Sequence, residues 1–324
     1  MKNNIKIIGA LLTILVMLIT FSEEALTFVF EFLGFKNNGN IVYYNGHDPI
    51  SETELRKARG IIMENITSLD FLKGFDNLQS VDLIGGEYNG CFEVLGELPK
   101  IERVSFYGPE LSGDISVLSN LKDLTTVYFS SGSRVTGNIS VLSTLSKLWL
   151  VDFQNTNVEG NLADMGYLPN LGYLNLSGTA IVGDISSLEI LKNLKVIKLN
   201  NTNVEGDLAN VARLSGLTNI IFNNTQVKGQ LGCLSKLENL KGIRLANTSI
   251  KGDLADIGHL SNLEYLDLSG TDIIGDISSL AALNNLKTIK LNNTNVKGDL
   301  STLSQLQFLK DVEIENTQVT GSWN

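Results

Sequence analysis

Apolar and polar positions follow a unit that returns every 23 residues. A clean copy reads Leu171-x-x-Leu174-x-Leu176-x-x-Thr179-x-Ile181-x-Gly183-Asp184-Ile185, followed by Leu188 and Leu191. The first apolar anchor falls at Leu78, Ile101, Leu124, Leu148, Leu171, Leu194, Leu217, Leu240, Leu263, Leu286 and Leu309. These eleven copies are separated by nine gaps of 23 residues and one of 24, whose extra residue falls in a turn near Ser130–Arg134. A worn earlier copy covers Leu55–Phe75, because Leu69, Leu72 and Phe75 keep the phase. A fixed period of this length marks a solenoid. The Leu-x-x-Leu-x-Leu segment ends in period-two alternation, so its last two apolar residues face one side of a short strand. One copy cannot bury that side alone. Stacked copies let each strand pair in parallel with neighbours about 4.8 Å away, so eleven strands make an arc of about 50 Å.

Two further columns keep the period. Thr156, Thr179, Thr202, Thr225, Thr248, Thr271, Thr294 and Thr317 occupy an inward corner. Their hydroxyls are expected to bond backbone groups of the adjacent copy, since buried polar groups need partners. Gly160, Gly183, Gly206, Gly229, Gly252, Gly275, Gly298 and Gly321 follow four residues later. That position calls for positive φ, or for a side chain small enough to clear the next coil. Beside it runs a carboxylate row, Asp184, Asp207, Asp253, Asp276 and Asp299, interrupted by Gln230 and preceded by Asn138 and Asn161. One carboxylate per coil is too few for calcium, which takes six to eight oxygens. A cap accepting backbone N–H groups is the expected role.

These residues resemble the leucine-rich repeat superfamily over residues from about 55 to 324. The Thr-x-Val-x-Gly-Asp-Leu tail resembles the Asn-x-Leu-x-Gly-x-Ile-Pro segment of its plant-specific subclass, with Thr in the inward Asn slot and Ser or Ala (Ser186, Ala209, Ala255, Ser278) in place of Pro. The resemblance implies a mostly β, α/β-type solenoid: a right-handed superhelix with a concave parallel sheet of about eleven strands. It also implies binding rather than chemistry. Residues 163–208 and 255–300 are near copies four coils apart, which indicates growth by block duplication.

The ends add organisation. Met1–Lys6 is short and basic and Ile7–Thr20 is an apolar run of 14 residues, the pattern of an export signal ending near Ser22. A second apolar stretch at Ala25–Phe35 keeps a retained anchor open as the alternative. Residues 23–60 are expected to form an N-terminal segment and cap, with a strand at Ile41–Tyr44, a turn at Asn45-Gly46 and a capping box at Ser51–Glu54; residues 61–324 form the solenoid. At the other end, Trp323 takes the slot of Leu300. Charges on the last strand (Lys310, Asp311, Glu313, Glu315) discourage edge pairing. Docking of a second copy at that edge is the alternative. Cys91 and Cys233 lie about six coils apart, beyond disulfide reach, and read as small core residues.

Little in the chain suggests catalysis. The two histidines, His47 and His259, read as surface residues; no triad, metal spacing or phosphate loop is present, and neither metal nor cofactor is expected. Net charge −10 disfavours nucleic acid. The candidate site is the concave sheet. Its outward slots, the first, second, fourth and sixth after each anchor, collect Tyr107, Tyr128, Trp149, Leu150, Tyr173, Val196 and Ile221. An exposed aromatic and apolar patch marks an interface, and a structural ladder of aromatics packed on each other across strands is the alternative. Later slots alternate in sign: Lys195 and Lys198, Lys241 and Arg244, and Lys287 and Lys290 are basic, with Glu264 and Asp267 between the last two pairs. This would place Asp267 beside Arg244 and Lys290 as a self-satisfied salt ladder or, alternatively, leave a site for an acidic ligand. The expected function is a non-enzymatic recognition protein, exported or surface-displayed, binding a protein partner. Membrane contact would come only through the N-terminal segment. Glycan binding, through aromatics and the Asn pairs 200–201, 223–224 and 292–293, is a second class. An ice-binding solenoid is the remote third, because the outward residues beside Thr vary and carry charge.

Overall fold

A computed structural model describes residues 41–44, 56–64, 68–84, 92–107, 112–129 and 134–322. Each coil is built from three short pieces. In the coil anchored by Leu194 these are a strand at Val196–Lys198, a second strand at Asn203–Asp207 and a 3-10 helix at Leu208–Arg213. The first strands of successive coils pair in parallel, Tyr173 with Val196 and Val196 with Asn219. This sheet has 13 strands, not about eleven. Ile41–Tyr44 and Gly60–Glu64 add two at the N-terminal side, with Gly60 paired to Ser80. The strand expected at Ile41–Tyr44 is therefore present, and the worn copy before Leu78 is a true coil with Leu69, Leu72 and Phe75 buried.

A second parallel sheet of ten strands runs from Ser112–Asp114 to Gln318–Thr320. The repeat pattern did not suggest it, because the Thr-x-Val-x-Gly segment looked like a corner. Alternation within that segment explains the strand: Ile181 is buried while its neighbours Ala180 and Val182 are exposed. The apolar core lies between the two sheets and the 3-10 helices. It includes a stack of Phe106, Phe129 and Phe153 with ring centroids 5.4 Å apart at each step. The extra residue of the array is confined between Phe129 and Arg134. Phe106 pairs with Phe129 at the ordinary offset, whereas Thr126 pairs with Leu150 one residue later. Inserted between the strands of the two sheets, it leaves both ladders intact.

The inward threonines do not bridge coils. Each donates to the carbonyl three residues back in its own coil: Thr156 to Phe153 at 2.8 Å, Thr202 to Leu199 at 2.5 Å. The geometry follows from the residue before each threonine. Asn155, Asn201, Asn224, Asn247, Asn293 and Asn316 have φ of 54° to 57°, Gly178 and Gly270 have φ of 67° and 66°, and this left-handed residue folds the chain so that the hydroxyl meets that carbonyl. What links coils at this corner is the backbone, as in Asn201 N–H to Asn223 O at 2.9 Å, joined by side-chain amides of some of the same asparagines. Asn224 donates to Asn201 at 2.7 Å and Asn247 to Asn224 at 2.7 Å.

The aspartate row caps the 3-10 helices as expected. Asp184 accepts from the Ser186 N–H at 2.7 Å and Asp207 from Ala209 at 2.9 Å; Gln230, which interrupts the row, makes no such bond. These caps explain the glycine column. Gly206 has φ 119°, and a Cβ there would sit 2.4 Å from Asp184 Oδ1 of the preceding coil. Positive φ and the neighbouring cap both require glycine. Arg56 and Lys57 are helical, but Ser51–Glu54, Asn45-Gly46, residues 1–35, Cys91 and Trp323 lie outside the described residues. Cys233 is half-buried against the core rather than within it. No helix among the described residues is long and apolar enough to cross a membrane.

Two glycines separate these effects. Gly206→Ala is expected to lower unfolding free energy by at least about 2 kcal/mol, from left-handed strain plus the clash. Gly216→Ala meets nothing closer than Leu194 O at 3.6 Å and has no positive φ, so its change should stay within about 1 kcal/mol. Denaturant unfolding of both variants checks the pair.

Candidate functional site

The concave sheet presents its outward slots in columns, and strand register fixes which residues meet. In one column Thr126, Leu150, Tyr173, Val196, Asn219, Gly242 and Tyr265 follow one another. Two residues along each strand lies a second: Tyr128, Asp152, Asn175, Lys198, Ile221, Arg244 and Asp267. The expected patch is only partly open. Leu150, Val196 and Ile221 are buried at 8%, 5% and 7% exposure, because short strands on a curved sheet bring adjacent columns over them. They form the floor of the face, not its contact surface. Tyr107, Tyr128, Trp149 and Tyr173 are half-buried and stand above it.

The aromatics are held by specific neighbours. The Tyr107 and Tyr128 rings pack with centroids 4.8 Å apart. Trp149 lies against the next coil, where Gly172 makes room: a Cβ there would meet the indole Nε1 at 2.9 Å. Tyr173 donates its hydroxyl to Asp152 Oδ2 at 3.2 Å, and Lys198 sits 5.4 Å from the centre of the Tyr173 ring.

At the centre of this cluster is a residue that periodicity did not single out. Asp152 is 5% exposed. It accepts from Asn175 Nδ2 at 2.9 Å, from Tyr173, and from the Gln154 N–H at 3.1 Å. Burial pushes its carboxyl up to about 6, against the pull of those bonds and of Lys198. Burial and the Asp152 charge raise the Tyr128 and Tyr173 hydroxyls above their ordinary range. A second buried carboxylate, Asp82, holds Arg103 at 2.8 Å. The sequence carried little signal for it, because the same outward slot holds Asp82, Asn175, Arg244, Asp267 and Glu313 in other coils.

The later coils carry charge, and the expected register holds, with Asp267 paired to Arg244 on one side and Lys290 on the other. Side-chain geometry differs from a simple alternation. Lys290 reaches forward to Glu313 at 2.5 Å and Asp311 at 3.6 Å, and Asp267 takes a bond from Asn223 at 3.2 Å. Arg244 lies over the Tyr265 ring at 4.9 Å. Between them is a shallow cavity of about 200 Å³, lined by Arg244, Tyr265, Asp267, Thr288, Lys290 and Asp311. The Asn pairs expected to serve a sugar are engaged internally. Asn200 accepts from Ser177 at 2.6 Å, Asn292 donates to Glu313 at 2.8 Å, and Asn201, Asn224 and Asn293 form the corner amide bonds. His259 is exposed, with Nε2 2.7 Å from the Ser235 carbonyl. Among the described residues, no three His, Cys, Asp or Glu are placed to hold a metal ion.

Residues 238–282 match the profile described as Leucine Rich repeats (2 copies). A plant peptide hormone receptor, RGFR1, solved in complex with RGF2, aligns over 87% of this chain and 47% of its own, at 21% identity and a TM-score of 0.64. An internalin from Listeria monocytogenes aligns over 84% of this chain and 85% of its own, at 21% identity and a TM-score of 0.65. The fold is that of the leucine-rich repeat superfamily. A plant ice-binding protein shares it over 75% of this chain and 81% of its own, at 22% identity and a TM-score of 0.56. No protein of curated function matches the chain in sequence. The leucine-rich-repeat coils thus span about half the length of the plant receptor's chain.

The buried carboxylate yields a pH prediction. Its folded value of about 6 lies above the ordinary 3.8, so the native state holds the proton more tightly than the unfolded chain. Stability from this group is present at low pH and is lost as pH rises from about 4 to 6. The loss is on the order of 2–3 kcal/mol. Asp152→Asn should flatten that part of the pH dependence, measured as the wild-type minus variant difference in urea unfolding between pH 4.5 and 7.

Proposed function

We propose that this chain is a non-enzymatic recognition protein, exported or displayed at a cell surface, that binds a protein partner through the upstream half of its concave sheet. The observation that carries this is the aromatic group Tyr107, Tyr128, Trp149 and Tyr173. It stands half-exposed on an apolar floor and is fixed from below by Asp152 and Gly172. Rigid aromatics of this kind supply contact area at low entropic cost and dominate binding energy when covered. The RGFR1 structure, which holds a peptide ligand, supports binding by the same kind of coil stack. The basic N-terminal segment and apolar run support export. Ice binding is disfavoured by charge on the ten-stranded sheet, where Glu205, Lys228, Asp272 and Lys297 are all exposed and break any flat, regular array.

Trp149→Ala with Tyr173→Ala should reduce partner recovery in proximity labelling at least about tenfold. The circular dichroism spectrum should be unchanged, since neither ring lies in the core. Undiminished recovery would move the site elsewhere.

A further inference from the structure

One stretch of the concave face is not explained by the aromatic group. On the strand Asn219–Ile221, Thr218 lies between the backbones of Lys195 and Lys241, and Ile221 pairs with Lys198 and Arg244. Four cations therefore stand at the corners of a square about 10 Å on a side, from strand spacing and rise. No acidic residue occupies an outward slot in these three coils. Two of the cations are positioned by rings, Lys198 over Tyr173 and Arg244 over Tyr265. Inside the square is Asn219, only 6% exposed. Its Oδ1 lies 2.8 Å from the Thr218 hydroxyl, whose single proton is shared with the Lys195 carbonyl at 3.1 Å, and its Nδ2 has no partner. Among the described residues the buried side-chain polar atoms left without a partner belong to Arg103, Asn219 and Ser269; the first two are in outward slots of concave strands, and Ser269 is in the turn after one. A buried donor without an acceptor is costly, and native proteins retain such groups where a ligand completes them.

We propose that this square binds a carboxylate of the partner, an Asp or Glu side chain within an extended segment. The inference rests on the concave-face reading above. The Asn219 amide turns about its broad terminal torsion to donate to one oxygen, and Lys198 and Arg244 close over the other. Val196 and Ile221 floor the site for the apolar part of the segment. A uniformly anionic polymer fits less well. Running along the face, it meets Asp152 on one side and Glu264 and Asp267 on the other.

The test is selection of random decapeptides displayed on phage against the full chain. Selected peptides should share one acidic position. Its change to Asn or Gln should weaken binding about tenfold, as should Lys198→Gln with Arg244→Gln, and the two losses should not add. Selected peptides that lose binding on Trp149→Ala with Tyr173→Ala, yet carry no acidic position, overturn this inference and leave the concave-face reading standing. Peptides indifferent to both variant pairs, or no selected peptides at all, overturn both. Heparin binding that depends on Lys198 and Arg244, with no acidic peptide selected, replaces the peptide carboxylate by a polyanion and overturns the proposal.

Discussion

The structure depends on an interlock between neighbouring coils: the aspartate that caps one coil occupies the space a side chain would fill on the next. Asp184 against Gly206 and Asp253 against Gly275 repeat the same contact, with hypothetical Cβ distances of 2.4 and 2.3 Å. The carboxylate satisfies the backbone of its own 3-10 helix, and its volume is accommodated only because the following coil supplies glycine in the left-handed region. Together with the two parallel ladders, this locks the distance and register of successive coils. Everything on the concave face, from the Tyr107–Tyr128 ring contact to the cation square around Asn219, has its position because that register does not drift.

Much of this was legible in the chain and some was not, for physical reasons. The 23-residue period marked the core columns, and alternation gave the inward residues of the concave strands, such as Leu174 and Leu176. The caps were legible because Asp followed by Ile-Ser or Leu-Ala is a local signal. The second sheet was hidden: Ala180–Asp184 contains a glycine, which weakens a strand pattern, and only stacking against its neighbours makes it one. The threonine partners were misjudged because a hydroxyl can reach either its own coil or the next, and the left-handed Asn or Gly that decides between them acts through backbone geometry.

The concave face shows the same division. Which residues point outward was readable from period two, but how far each emerges was not. Exposure on a curved sheet depends on the size of side chains in the adjoining columns. Val196 and Ile221 sit between long neighbours and disappear beneath them, while Trp149 emerges over a glycine. Asp152 was passed over because its role needs three partners from two coils, Gln154 from its own and Tyr173 and Asn175 from the next, and no one-dimensional pattern brings them together.

The interlock also gives each coil two unlike sides, a protruding carboxylate on one and a receiving hollow on the other. Like nested cups, coils with this feature fit only when all face the same way. Lengthening by whole coils copied in tandem preserves that orientation automatically, and the near-identity of residues 163–208 and 255–300 has the form such copying would leave. Two arrays meeting hollow to hollow, or carboxylate to carboxylate, could not reuse the contact. Self-association through it could only run in one direction, as an open stack rather than a closed symmetric pair.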